Sequence, residues 1–165
     1  MDRRIVTLIS FAALLVVLVG GYLILDSDSE DSSSSGDNSA LADTTVKPVI
    51  EASTDPEPTE LVTNDIVEGE GPEAAEGDEV SVQYVGALYD GTEFDASWDR
   101  GEPFDLTLGG GTVIAGWDQG LVGMKAGGRR ELIIPPDLGY GPQGQPPTIP
   151  ANATLVFVVD MISIN

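Results

Sequence analysis

Val80-Ser81-Val82-Gln83-Tyr84-Val85-Gly86-Ala87-Leu88 sets Val80, Val82, Tyr84, Gly86 and Leu88 on one side and Ser81, Gln83 and Ala87 on the other. This two-residue alternation belongs to a strand with one buried face. Asp90-Gly91 follows as a turn signal, since glycine takes the positive φ that a tight reversal needs. Further along, Phe104, Leu106 and Leu108 alternate with Asp105 and Thr107, and the run closes at Gly109-Gly110-Gly111. Arg129 to Ile134 reads as a third strand ended by Pro135-Pro136, and Leu155, Phe157, Val159 and Met161 mark a long final one. Asp65 to Val67 adds a short edge strand. Between strands, Ile114, Trp117, Leu121 and Met124 recur at helical spacing, with Gly127-Gly128 as the stop. The pattern predicts an α+β domain, one helix facing one antiparallel sheet.

The chain has 165 residues and a formal charge of −21, with no histidine and no cysteine. Histidine general-base chemistry, cysteine nucleophiles, disulfides and His/Cys zinc sites are thereby excluded. So acidic a surface repels phosphates, and the few Lys and Arg residues form no broad basic face, which speaks against nucleic acid as a partner.

Three regions follow one another. Residues 5–25 are uncharged and apolar enough to cross a bilayer as a helix, with Arg3 and Arg4 before them and Asp26, Asp28, Glu30 and Asp31 after. The basic flank predicts a short N-terminus inside and the remainder outside, so residues 1–25 read as a transmembrane signal-anchor. The alternative is secretion after cleavage at Ala40-Leu41-Ala42, which lies far from the apolar run. Residues 26–60 hold ten acids against the single base Lys47 and no aromatic residue, the composition of a disordered Ser/Pro-rich linker. The folded domain is expected over residues 61–165.

Within that domain the motifs become specific. In order stand Val82-Gln83-Tyr84-Val85-Gly86, Asp90-Gly91-Thr92-Glu93-Phe94-Asp95-Ala96-Ser97, Pro103-Phe104 and Val113-Ile114-Ala115-Gly116-Trp117. Gly123-Met124-Lys125-Ala126-Gly127, Pro136-Asp137-Leu138-Gly139-Tyr140-Gly141 and Ile149-Pro150-Ala151-Asn152-Ala153-Thr154-Leu155-Val156-Phe157 complete the series. The segment resembles the FKBP-type peptidyl-prolyl cis/trans isomerases, the macrolide-binding immunophilins. The resemblance implies a curved antiparallel sheet wrapped around one short α-helix, and a cleft for proline.

Carried over position by position, the resemblance puts Tyr84, Phe94, Asp95, Tyr140 and Phe157 among the catalytic residues and Arg100, Phe104, Val113, Ile114, Trp117 and Ile149 among those binding substrate. Trp117 would form the floor of a prolyl slot, and Tyr84, Asp95 and Arg100 a hydrogen-bonded network beside it. The Ile114 N–H and the Tyr140 hydroxyl would hold substrate carbonyls. The implied partners are proline-containing polypeptides, with macrolide inhibitors among the ligands and the membrane reached through the N-terminal helix. No metal or organic cofactor enters the scheme.

Such residue types suit this reaction because no covalent bond is broken. Rotation about a prolyl amide disrupts resonance, a barrier of about 18–20 kcal/mol that leaves exchange at tens to hundreds of seconds. Spacing alone would make Trp117 and the phenylalanines ordinary core aromatics, Asp95 a turn cap and Arg100 a surface charge; the ordered motifs assign them to a site. The sequence departs from the family pattern at Gln145, where many members carry histidine, and at Thr148, and the loop over residues 142–150 is too short for an inserted chaperone domain. The expected function is isomerisation in the folding of exported proteins; the alternative is a non-catalytic module that docks proline-containing segments.

Overall fold

A computed structural model describes residues 43–165. The membrane segment expected at residues 5–25 and the linker before residue 43 lie outside the described residues. The strands are β1 (Val62–Val67), β2 (Glu79–Leu88), β3 (Glu93–Ala96), β4 (Phe104–Thr107), β5 (Arg129–Ile134) and β6 (Leu155–Ile164). They form one sheet in the order β1-β5-β6-β2-β3, with β4 also pairing to β2. All pairings are antiparallel. The period-two runs at β2, β5 and β6 thus become the sheet's central strands, whose apolar faces leave no other stable partner.

Register explains which face is the core. Tyr84 stands opposite Val159 and Gly86 opposite Phe157, while Leu132 also stands opposite Phe157 and Ile134 opposite Leu155. These residues share one face, and all but Gly86 belong to a single apolar cluster with Trp117, Leu121 and Met124. The opposite face is buried as well: Val85, Ala87, Val156 and Val158 all lie below a tenth exposed.

Among the described residues there are two short α-helices, and only the second lies at the helical spacing of Ile114 to Met124. The first, α1 (Ser97–Arg100), is a single turn closed by Gly101 at φ 70°. The second, α2 (Ala115–Gly120), ends before the predicted Leu121 and Met124, which continue in a turn yet remain buried. Gly120 offers little helix propensity and Gly123 takes φ +80°, so the apolar spacing outlasts the helix.

Residues 43–60, assigned by composition to the linker, carry no helix or strand, yet they lie against the domain. Arg129, fully buried, donates to the Asp43 and Val46 carbonyls at 2.9 Å each while holding the Asp160 carboxylate. Pro48 is buried, the Ser53 N–H donates to the Tyr89 carbonyl at 3.1 Å, and the Thr154 hydroxyl donates to Glu57 at 2.6 Å. Gly91, at φ +82°, shows how close this strap runs, since a Cβ there would stand 2.7 Å from the Ala52 nitrogen. Every anchor is distant in sequence, which is why local composition reads as solvated linker.

Candidate functional site

The cleft arises from a split edge of β2. One end of that strand pairs with β4, Val82 opposite Phe104, and the other with β3, Val85 opposite Ala96. Tyr84 lies between the two pairings, and α1 spans the gap. At β3 the register passes from Gly86–Asp95 to Ala87–Glu93, so Phe94 is the extra residue of a bulge, a device that re-aims a side chain.

Around this opening the rings interlock edge to face. Trp117 lies 5.1 Å from Tyr84 at 87° and 5.3 Å from Phe157 at 86°. Phe94 meets Phe157 at 5.6 Å and 85°, and Phe104 meets Trp117 at 6.1 Å and 76°. Such crossings match ring edges to ring faces and each adds about 0.5–1.5 kcal/mol beyond area burial. Gly86 permits the Phe94–Phe157 contact: a Cβ there would fall 2.6 Å from one ring and 2.9 Å from the other. The cleft, of about 210 Å³, is lined by these rings together with Asp95, Thr112, Val113, Ile114 and Tyr140.

At the rim the Tyr84 hydroxyl donates to Asp95. Arg100 donates through one Nη to Asp95 at 2.6 Å and through the other to the Tyr84 oxygen at 2.9 Å. Its guanidinium carbon lies 5.6 Å from the centre of the Tyr84 ring. Burial, and then the bond to Asp95, pushes the Tyr84 phenol above its usual pKa against the pull of Arg100. Burial and the Asp95 charge push Tyr140 the same way. Both phenols therefore stay neutral donors at physiological pH. Among the described residues neither the Ile114 N–H nor the Tyr140 hydroxyl has a hydrogen-bond partner, and the buried Trp117 indole N–H has none either.

Residues 71–162 match the family model described as FKBP-type peptidyl-prolyl cis-trans isomerase. The chain belongs to that family. It is 53% identical over 109 residues to an FK506-binding protein of Streptomyces anulatus, spanning 65% of this chain and 88% of that one. It is 49% identical over 104 residues to an FK506-binding protein of Neisseria meningitidis serogroup A, covering 63% of this chain and 95% of the relative. Among solved structures it is similar to one titled "Crystal structure of AtFKBP13", with a TM-score of 0.61 and 39% identity over 66% of this chain and 96% of the other. The protein is accordingly a peptidyl-prolyl isomerase with the FKBP-type antiparallel sheet.

In this FKBP-type isomerase, nine of the eleven residues expected at the site line one cleft: Tyr84, Phe94, Asp95, Phe104, Val113, Ile114, Trp117, Tyr140 and Phe157. Arg100 stands at the rim and reaches it through Asp95 and Tyr84. Ile149 does not line it; the side chain is 3% exposed and packs in the central apolar cluster. Its backbone exchanges bonds of 2.8 and 2.9 Å with Gln145, fixing the loop after Tyr140.

Sequence reasoning missed three supports. Thr112 lines the cleft without any pattern of its own. Ser97, fully buried, accepts from the Tyr84 N–H at 2.8 Å and donates to Gln83, so it holds the strand beneath the Tyr84 ring. Asp118 accepts from the Gly109 and Gly111 N–H groups at 2.9 and 3.0 Å, pinning the glycine-rich loop that leads to Val113. A polar residue one position after Trp117 and a glycine triplet upstream were the available signals; the contact joining them is tertiary.

Proposed function

We propose that the isomerase turns over prolyl bonds in exported polypeptides while tethered to the outer face of a membrane by residues 1–25. The unpartnered Ile114 N–H and Tyr140 hydroxyl, both beside a ring-lined cleft, are the observation that carries the site assignment. Proline enters against Trp117, with Phe94, Phe104 and Phe157 as walls. The planar amide is more polar than its twisted transition state, so a water-poor cleft stabilises the twisted form relative to the planar one. The Ile114 and Tyr140 donors hold flanking carbonyls, and one side of the bond stays still while the other turns. Tyr84, Asp95 and Arg100 keep the polar rim in place. Macrolides of the FK506 type, named for the relatives, would compete for the same apolar floor.

Membrane attachment rests on the uncharged run at residues 5–25 and its basic flank. The deciding experiment is a protease-coupled assay with Leu-Pro and Phe-Pro peptides, combined with the mass of the mature N-terminus from a membrane fraction. Acceleration blocked by FK506, together with an intact N-terminus, is the expected result. Tight peptide binding without acceleration would leave the docking module, and a mature chain starting after Ala42 would make the protein secreted.

A further inference from the structure

Lys47, the one base in the acidic stretch before the domain, reaches across to the catalytic edge. Its Nζ lies 2.8 Å from Glu93 Oε1 and 2.8 Å from Asp99 Oδ1. Glu93 immediately precedes the bulged Phe94, and Asp99 immediately precedes Arg100. One ammonium therefore ties both ends of the β3–α1 unit that supplies Phe94, Asp95 and Arg100 to the cleft and its rim.

That unit holds itself poorly. β3 makes three residue pairings to β2, interrupted at Phe94 by the bulge, and among the described residues no strand flanks its other edge in the sheet order. α1 is one turn without a side-chain N-cap, and a single turn has little stability of its own. The Lys47 stem, by contrast, starts from a fixed point. The Val46 carbonyl is held by buried Arg129 at 2.9 Å, and the next residue, Pro48, is buried. Removing the ammonium would leave Glu93 and Asp99 without the cation they share, and like charges at that range repel.

We propose that the strap over residues 43–60 holds the catalytic edge in working geometry and that Lys47 is its positioning residue. The inference rests on the cleft assignment above. Because the Lys47, Glu93 and Asp99 side chains are each about a third exposed or more, the ion pairs add little to global stability. Their effect is on where Phe94 and Arg100 stand.

The test compares Lys47→Gln, Lys47→Arg, Lys125→Gln and Asp95→Asn in the full chain in mild detergent, by protease-coupled kinetics, thermal unfolding and backbone amide shifts. Lys125 pairs with Glu68 away from the cleft and controls for loss of a surface ammonium. Lys47→Gln is expected to lower kcat/KM about three- to tenfold while moving the unfolding midpoint by no more than about 2 °C. Amides from Phe94 to Arg100 shift, Lys47→Arg restores most of the rate, and Lys125→Gln leaves it unchanged. Raising salt toward about 0.5 M shortens the screening length and lowers the native rate toward that of Lys47→Gln. Native kinetics and native Phe94 and Arg100 shifts in Lys47→Gln, alongside an impaired Asp95→Asn, would overturn the role of Lys47 alone. A fully active Asp95→Asn would remove the cleft assignment and this inference with it.

Discussion

Trp117 stands with its indole 5.1 Å from the Tyr84 ring and at 87° to it, joining α2 to the centre of β2. The same indole meets Phe157 on β6, so one side chain couples the helix to two strands and floors the cleft. Trp117→Ala removes both contacts and leaves a buried cavity. The expected cost is about 3–5 kcal/mol of stability, read by urea unfolding, together with loss of isomerase activity at temperatures where the variant is still folded.

Tyr84→Phe keeps the ring and deletes only the hydroxyl shared with Asp95 and Arg100. Stability falls by about 1 kcal/mol, the worth of an ordinary hydrogen bond. Since the Arg100–Asp95 pair persists, kcat/KM is expected to fall by roughly three- to tenfold, or about 0.7–1.4 kcal/mol of transition-state stabilisation. Unfolding of the variant instead would assign Tyr84 to packing.

Gly86→Ala inserts a methyl 2.6 Å from the Phe157 ring and 2.9 Å from Phe94. Both rings belong to the cleft wall, so they must separate. Overpacking of this kind costs about 1–3 kcal/mol. Activity is expected to fall further than stability, and a crystal structure of the variant would show the two rings apart.

The rate is expected to be flat from about pH 6 to 9, because the chain has no histidine and Tyr84 and Tyr140 are both pushed above the usual tyrosine value. For stability the sign follows from the raised phenols: their contribution is complete below the unfolded tyrosine pKa of about 10 and disappears as pH climbs through the folded values. A rate limb near neutrality would contradict this assignment of donors.

A fragment starting at residue 43 keeps the strap, whereas one starting at residue 61 deprives buried Arg129 of the Asp43 and Val46 carbonyls and Thr154 of Glu57. Lost acceptors for buried donors cost about 1–3 kcal/mol. The shorter fragment should melt roughly 5–15 °C lower by calorimetry. Equal midpoints would mean that the strap adds nothing to the fold.

Much of the sheet was legible because a strand announces its buried face in local alternation. The run Arg129–Ile134 has the same bounds as β5, and the runs beginning at Val80 and Leu155 start within one residue of β2 and β6. β3 leaves no period because the bulge at Phe94 interrupts its four residues, and α1 is a single turn, too short to show helical spacing. The spacing overstates α2 because apolar spacing records which residues are buried, not where the helical hydrogen bonds stop. Nine of the cleft residues were found through ordered motifs, while Thr112, Ser97 and Asp118 act through contacts that no local pattern encodes.

The amino-acid order alone determined an acidic chain without histidine or thiol chemistry, a period-two sheet, and a set of aromatic residues in family order. Those properties follow from neighbours along the chain, where hydrophobic alternation and composition act. Only the folded arrangement decided that Phe94 sits in a bulge, that Ile149 belongs to the core, and that the acidic stretch at residues 43–60 lies on the domain. Each of these depends on partners brought together from distant parts of the chain, such as Lys47 with Asp99 or Val46 with Arg129, and long-range pairing leaves no periodic trace in the residues that form it.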